Sequence, residues 1–95
     1  MIFEAGTTVR FKVAVKGFTG GDEDADEPPR ITLWDASGVK RIDSASTTKD
    51  AAGRYHIDIT LDEGWVRGTW TYECRASIAG KPLVARGSLR VVKTE

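Results

Sequence analysis

The chain has 95 residues, and its 14 lysines and arginines are balanced by 14 aspartates and glutamates, so the formal net charge is zero. This length predicts a single domain over residues 1–95, with one hydrophobic core and no second lobe to enclose a deep active-site cleft. The balanced charge argues against a nucleic-acid partner and against an anionic membrane surface, since both usually select basic domains.

Apolar and polar residues alternate along most of the chain, which is the pattern of β-strands with one buried face. The predicted strands cover Ile2–Glu4, Thr7–Val15, Arg30–Trp34, Val39–Ser44, a weak edge piece at Ser46–Lys49, Arg54–Leu61, Thr69–Ser77 and Leu83–Val92. No segment has apolar residues at helical spacing, and Gly17–Pro29 is the one long irregular stretch. Short strands at regular spacing predict an all-β protein of about seven strands, either a single antiparallel sandwich or a barrel.

Turn-forming residues separate these strands. The segment Asp35-Ala36-Ser37-Gly38 has aspartate at the first turn position and glycine at the fourth, as type I turns favour, and Asp50-Ala51-Ala52-Gly53 repeats the pattern. The segment Ala79-Gly80-Lys81-Pro82 predicts a hairpin whose proline stands at the start of the next strand, where its missing donor does little harm.

Cys74 is the single cysteine, so no intramolecular disulfide can form and the fold must be stable through packing alone. The N-terminus has neither the basic start nor the apolar run of a signal peptide, which predicts that the chain stays in the compartment where it is made. The alternative is a leader that has been removed. No stretch approaches the roughly 20 apolar residues that span a bilayer.

The segment Gly68–Cys74 contains a Tyr-x-Cys sequence that resembles the sixth strand of immunoglobulin domains. The resemblance implies that Tyr72 bonds back to the main chain at a corner of the sandwich. The match is partial, because the partner cysteine of the second strand is absent and Gly68 replaces the aspartate usually found four residues before the tyrosine.

Three further pieces are similar to bacterial and phage immunoglobulin-like modules: the run from Ile31 to Gly38, then Gly53-Arg54-Tyr55, then the run from Gly68 to Tyr72. In order and spacing they cover residues 31 to 76. Such modules occur in virion decoration proteins, in tail and baseplate proteins and in surface adhesins. The resemblance therefore implies a structural or adhesive role, by analogy of fold.

The alternation of side chains in a strand predicts a binding face. If Ile31 and Leu33 point inward, Trp34 must point outward, and exposed tryptophan and arginine are frequent at binding hot spots. The predicted outer face comprises Thr32, Trp34, Thr71, Glu73, Arg75, Arg86, Ser88 and Arg90. Trp65, in the loop Asp62–Gly68, is expected to fold over one end of the sandwich and to contribute to binding. Two alternatives stay open: Trp34 packs under its neighbouring loop, or the parity is inverted and Trp34 is core.

The residues that could support chemistry are few. Asp22, Asp24 and Asp26 have the odd-position spacing of a calcium loop and are weak metal candidates, but the glycine and glutamate of an EF-hand are missing at the sixth and twelfth positions. We expect a solvated, self-repelling loop instead. His56 is predicted to be a solvated histidine and Cys74 an inert core thiol. No cofactor, no metal and no enzymatic activity are predicted.

The sequence therefore predicts a non-catalytic interaction module. The leading interpretation is a phage or prophage virion component, a capsid decoration or tail-associated protein that docks on a capsid, tail or other virion protein and is found in the virion or the host cytoplasm. The alternative is a carbohydrate-binding or adhesion module of a larger, extracellular bacterial surface protein, whose ligand is a glycan. Self-association into a homo-oligomer, the identity of the partner and the host are left open.

Overall fold

The computed structural model describes residues 2–17, 20–62 and 64–92. The parts of the sequence predictions that fall on residues 1, 18, 19, 63 and 93–95 lie outside the described residues. The strands are β1 (Ile2–Glu4), β2 (Thr8–Ala14), β3 (Arg30–Trp34), β4 (Lys40–Ser46), β5 (Thr48–Ala51), β6 (Arg54–Thr60), β7 (Gly68–Ile78) and β8 (Lys81–Val92). In these described ranges there is no helix with the length and apolar character to cross a membrane.

Two sheets form the molecule. The larger has the order β1-β8-β7-β3-β4 and the smaller the order β2-β6-β5. All pairings are antiparallel except that of β1 with β8, which is parallel and only three residues long. The predicted all-β immunoglobulin-like sandwich is confirmed, with eight strands rather than about seven.

The strand predictions deviate most at β4 and β5. The weak edge piece predicted at Ser46–Lys49 is divided, because β4 continues to Ser46 and β5 begins at Thr48. The pairing of β3 with β4 shifts register twice, and Ser44 takes a positive φ of 50°. These irregularities are β-bulges, which insert residues and displace the end of a strand without leaving a strong signal in the sequence.

The core follows the predicted parity of β3. Ile31 and Leu33 are 1% and 0% exposed, and Trp70 on the neighbouring strand β7 is 0% exposed. The main core cluster consists of Val9, Ile31, Leu33, Ile59, Leu61, Trp70, Leu89 and Val91. Full burial of an aliphatic or aromatic side chain of this kind contributes about 1.5–3 kcal/mol, so this row of side chains is the main source of stability.

The tyrosine corner implied by the resemblance is not formed. The ring of Tyr72 makes an edge-to-face contact with Phe11, with centroids 5.7 Å apart, and lies against Gly87, where a Cβ atom would collide with it. Across the described part of the chain, its hydroxyl has no hydrogen-bond partner. The tyrosine hydroxyl that does accept a main-chain N–H is that of Tyr55, from Ala25 at 3.2 Å.

The turn after β3 is organised by Asp35, whose side chain is completely buried. Its carboxylate accepts hydrogen bonds from the Ser37 N–H and hydroxyl, from the Val39 N–H at 3.0 Å and from the Arg41 guanidinium at 2.8 Å. Burial alone would raise the pKa of Asp35, but these donors favour the charged form and lower it from 3.8 to about 2. The aspartate predicted for a type I turn is thus also a buried anion.

This shift predicts a dependence of stability on pH. A carboxyl group whose pKa is lowered by folding stabilises the protein above its unfolded pKa, and this stabilisation is lost as the pH falls through the folded value. The free energy of unfolding should therefore fall between pH 3.8 and about 2 in part because of Asp35. Urea titrations across this range should show a weaker dependence on pH for Asp35→Asn than for the original chain; equal slopes would contradict the assignment.

Candidate functional site

The outer face of the larger sheet carries the residues predicted to bind. Side chains that are neighbours across β8, β7 and β3 form regular rows, which the strand register fixes. From one end of the sheet to the other, the rows are Arg90–Thr69, Ser88–Thr71–Trp34, Arg86–Glu73–Thr32 and Val84–Arg75–Arg30. The structure thus brings Trp34, Thr71, Glu73, Arg75, Arg86 and Arg90 onto one surface, here called the outer face.

Trp34 lies on the outer face and is partly exposed, while its neighbour Leu33 is completely buried. It stands opposite Thr71 on β7 and Lys40 on β4, and the Lys40 ammonium is 6.0 Å from the centre of its ring. The indole is therefore not sealed in the core. The flexible side chain of Lys40 is one of its neighbours, and a partner could displace it.

Glu73 is the one buried charge of the outer face. Its carboxylate accepts a hydrogen bond from the Arg75 guanidinium and one of 2.7 Å from that of Arg86. Both interactions lower the pKa of Glu73, and the one with Arg75 has the larger effect. Both arginine side chains remain about two-thirds exposed, at 63% and 65%. Glu73 therefore fixes the positions of two guanidinium groups, and its own carboxylate is not available to a binding partner.

The outer face is more basic than the neutral chain suggests. Its three central strands carry four guanidinium groups and a single carboxylate; the arginines are Arg30, Arg75, Arg86 and Arg90. Sequence reasoning missed Arg30 and Lys40 as members of this surface. The signal for Arg30 was present, because it has the same parity on β3 as Trp34; Lys40 required the register of β4, which the bulges hide.

Trp65 is separated from this surface. Its indole packs at 5.5 Å against Trp70, at the end of the core, and the guanidinium of Arg41 lies 5.8 Å from the centre of its ring. Trp70 in turn donates its indole N–H to the carbonyl of Val66 at 2.7 Å. The loop is thus folded over one end of the sandwich, and the ring of Trp65 is occupied by neighbours of its own chain.

The three aspartates of the acidic segment do not converge. Asp22 contacts the Lys16 ammonium, and Asp24 accepts a hydrogen bond of 2.7 Å from Lys49. Each cation lowers the pKa of the aspartate that it contacts. In the ranges that the structure describes, no group of three or more histidine, cysteine, aspartate or glutamate side chains could hold a metal ion.

Asp26 is bound by main-chain groups: its carboxylate accepts hydrogen bonds from the N–H groups of Ala79 and Gly80, both at 2.9 Å. These donors lower the pKa of Asp26, Gly80 having the larger influence. They belong to the turn of the β7–β8 hairpin, in which both residues have positive φ, as in a type I′ turn. The segment is exposed to solvent, as predicted, but it is not self-repelling, because cations and main-chain N–H groups bind its three aspartates.

The two side chains most often used in catalysis are placed apart. His56 is half-buried, contrary to the prediction, and its Nδ1 lies 2.6 Å from an Oδ1 atom of Asp50 on the outside of the smaller sheet. Cys74 faces the space between the sheets and is half-buried, which raises the pKa of its thiol. This arrangement offers a hydrogen-bonded histidine–aspartate pair and a weakly nucleophilic thiol rather than a nucleophile beside a base.

Comparisons with known proteins bear on the fold. No protein-family model matches the chain, and no curated protein matches it. Among solved structures, it is similar to a chimeric titin Z1Z2 functionalized with a KLER exogenous peptide from decorin. The likeness covers 99% of this chain and 87% of that chain, with 17% sequence identity and a TM-score of 0.55. It supports the immunoglobulin-like architecture of β1 to β8.

Proposed function

We propose that this protein is a non-catalytic interaction module that docks on a protein partner through its outer face. The observation that carries the proposal is the partly exposed indole of Trp34, set in a sheet face with Arg75 and Arg86. Tryptophan and arginine are the residues whose truncation most often costs an interface 2 kcal/mol or more, as an order of magnitude.

The arginines on this face are well prepared for binding. Arg86 and Arg75 are held by Glu73, so part of the side-chain entropy that binding would otherwise cost is already lost in the free protein. Because the outward charges of β3, β7 and β8 are mainly positive, the complementary partner surface is acidic, with an apolar pocket for the indole. An interface of standard size buries about 1,600 Å² in total, which a sheet face of this domain can supply.

The finer proposal is that the partner is a capsid, tail or other virion protein, and that the chain works in the virion or, before assembly, in the host cytoplasm. It is supported by the likeness of the segments around Asp35, Gly53 and Trp70 to bacterial and phage immunoglobulin-like modules. Packing without a disulfide suits a protein assembled in a reducing compartment.

The alternative, a carbohydrate-binding or adhesion module, needs aromatic rings that offer a flat platform to a sugar. Trp34 offers one such ring, but Trp65 is packed between Trp70 and Arg41. A protein partner therefore explains more features of the outer face, its arginines included, than a glycan does. Binding of a polysaccharide with quenching of the fluorescence of Trp34 would reverse this preference.

The proposal is tested by adding the purified chain to particles of the encoding phage or prophage that were assembled without it. Co-sedimentation should show binding, and Trp34→Ala should weaken it about 30-fold, the equivalent of a 2 kcal/mol hot spot. Arg86→Ala should also weaken binding. Arg54→Ala is the matched control, because Arg54 is likewise an exposed arginine paired with a carboxylate, that of Asp22, but on the smaller sheet.

Three results would each contradict one part of this proposal. Folded Trp34→Ala protein that sediments with particles as well as the original chain would contradict the site. Equal losses for Arg86→Ala and Arg54→Ala would show that net charge, not the outer face, governs binding. Absence of the original chain from the particle fraction would remove the virion assignment.

A further inference from the structure

One side of the sandwich is left open between its two sheets. β2 is an edge strand of the smaller sheet, and β8 is covered by β1 only along Arg90–Val92. Between these edges no described strand joins the two layers. An uncovered strand edge presents main-chain donors and acceptors that can pair with another strand.

The register shows which main-chain groups of β2 face the opening. Leu61 donates to the Thr7 carbonyl and Val15 donates to the Gly53 carbonyl, so the odd-numbered residues of this segment pair with β6. In an antiparallel ladder the alternate residues point their N–H and C=O groups to the opposite side. The free edge of β2 therefore consists of the main-chain groups of Thr8, Arg10, Lys12 and Ala14.

A cavity of about 330 Å³ runs along this edge. It is bounded by β2 from Val9 to Ala14 on one side and by Tyr72, Cys74 and Ala85 on the other. Its floor is apolar, since Phe11, Val13 and Ile31 also face it. A strand laid beside β2 would direct alternate side chains into this cavity and the others to the outside of the smaller sheet.

The charge along the β2 edge identifies the occupant. The two charged side chains that line the cavity are both cationic, Arg10 and Lys12 on β2. Arg10 is paired with Asp58, whereas Lys12 has no carboxylate partner among the described residues. Both point outward, next to where the outward side chains of an added strand would lie. We infer that the β2 edge binds an extended acidic peptide segment of a partner protein, with apolar residues facing the cavity and acidic residues alternating with them.

A second copy of this chain is the less suitable occupant. Two β2 strands paired edge to edge would bring the same cations of both copies, Arg10 and Lys12, against one another. Like charges directly opposite each other on paired strands are destabilising. A segment with apolar residues facing inward and acidic residues facing outward fits better. Its apolar residues fill the cavity, and its acidic residues neutralise the cations of β2. This mode of recognition is strand addition, in which main-chain hydrogen bonds provide affinity and alternate side chains provide specificity.

The test uses a capped nine-residue peptide that alternates valine with glutamate, which covers the length of β2. On titration, the amide resonances of Arg10, Lys12 and Ala14 should shift and become protected from solvent exchange. Alkylation of Cys74, which lines the cavity, should slow in the presence of the peptide. A peptide that alternates valine with lysine should bind at least about tenfold more weakly, because its charges repel the edge.

Two substitutions at one position separate strand pairing from charge. Lys12→Pro removes a main-chain donor that faces the opening and takes no part in pairing with β6, so it should weaken binding about tenfold or more. Lys12→Ala removes the charge alone and should weaken binding less. Ala14→Pro removes another edge donor and replaces Lys12→Pro if that variant does not fold.

The inference is independent of the outer face, so Trp34→Ala should leave binding of the peptide unchanged. It would be overturned by the absence of resonance shifts up to about 1 mM peptide. It would also be overturned if folded Lys12→Pro and Ala14→Pro proteins bound as the original chain does, or if the shifts clustered around Trp34. Self-association without peptide, abolished by Lys12→Pro, would identify a second copy as the occupant instead.

Discussion

Replacing Trp70 by alanine should lower the free energy of unfolding by about 3–5 kcal/mol, the range for large aromatic side chains truncated in a core. The side chain is completely buried and packs in the main cluster with Trp65 beside it. Its removal would also leave the carbonyl of Val66 without the indole donor at 2.7 Å. Marginal small domains have only about 5–15 kcal/mol in total, so the variant should unfold at much lower urea concentration.

Trp34→Ala is the matched control, since it removes the same side chain from the outer face. Because Trp34 is partly exposed and is not among the residues of the main core cluster, the loss should be about 1 kcal/mol or less. Urea denaturation followed by circular dichroism measures both variants. Equal destabilisation by the two substitutions, or a larger effect at Trp34, would show that the strands face the other way.

Gly53→Ala should be the second most damaging change, with a loss of about 2–5 kcal/mol from left-handed backbone strain and overpacking together. Gly53 has a φ of 71°, and a Cβ atom there would lie 2.8 Å from the Val15 carbonyl oxygen and 2.9 Å from the Glu23 nitrogen. Both contacts are main-chain atoms that cannot rotate away. The same glycine donates its N–H to Asp24, so the acidic segment would be displaced as well.

Gly38→Ala separates the two contributions in this prediction. Gly38 has a similar φ of 84°, but a Cβ atom there would meet no other group within 4 Å. Gly38→Ala should therefore lower the free energy of unfolding only through left-handed backbone strain, by about 1–2 kcal/mol. If the two variants unfold at the same urea concentration, the close approach at Gly53 does not exist.

Much of this fold could be predicted because its cause is local. The alternation in β3 fixed its bounds and the inward direction of Ile31 and Leu33, and the turn at Asp35 followed from residue types that favour it. What the pattern could not provide was the division of β4 from β5. A bulge depends on how two strands pair, and the sequence of one strand carries little information about it.

The errors at the acidic segment have a different cause. Spacing alone shows that Asp22, Asp24 and Asp26 are near each other, and repulsion is the natural inference. Two of the three aspartates are bound by groups from far along the chain: Lys49 is 25 residues from Asp24, and Ala79 is 53 residues from Asp26. Lys16, which contacts Asp22, is 6 residues away. Only tertiary structure brings such partners together, so the electrostatics of a loop cannot be obtained from its own residues.

The same distinction applies to the two proposed binding surfaces. The outer face could be predicted in part, because parity placed Trp34 and the arginines of β7 and β8 on one side. The open edge beside β2 could not, because it arises where no described strand covers a neighbour, and no residue pattern records a missing neighbour. The cations of β2 become significant only when β2 and β8 are seen to flank one cavity.

The proposed docking surface depends on the side of the sheet that each residue of β3 occupies, and nuclear magnetic resonance with a soluble paramagnetic chelate measures this directly. The indole resonances of Trp34 should be strongly broadened, whereas the indole N–H of Trp70 and the methyl groups of Leu33 should be almost unaffected. Broadened Leu33 methyl groups together with a protected Trp34 indole would contradict the structure of the sheet and the docking surface built on it.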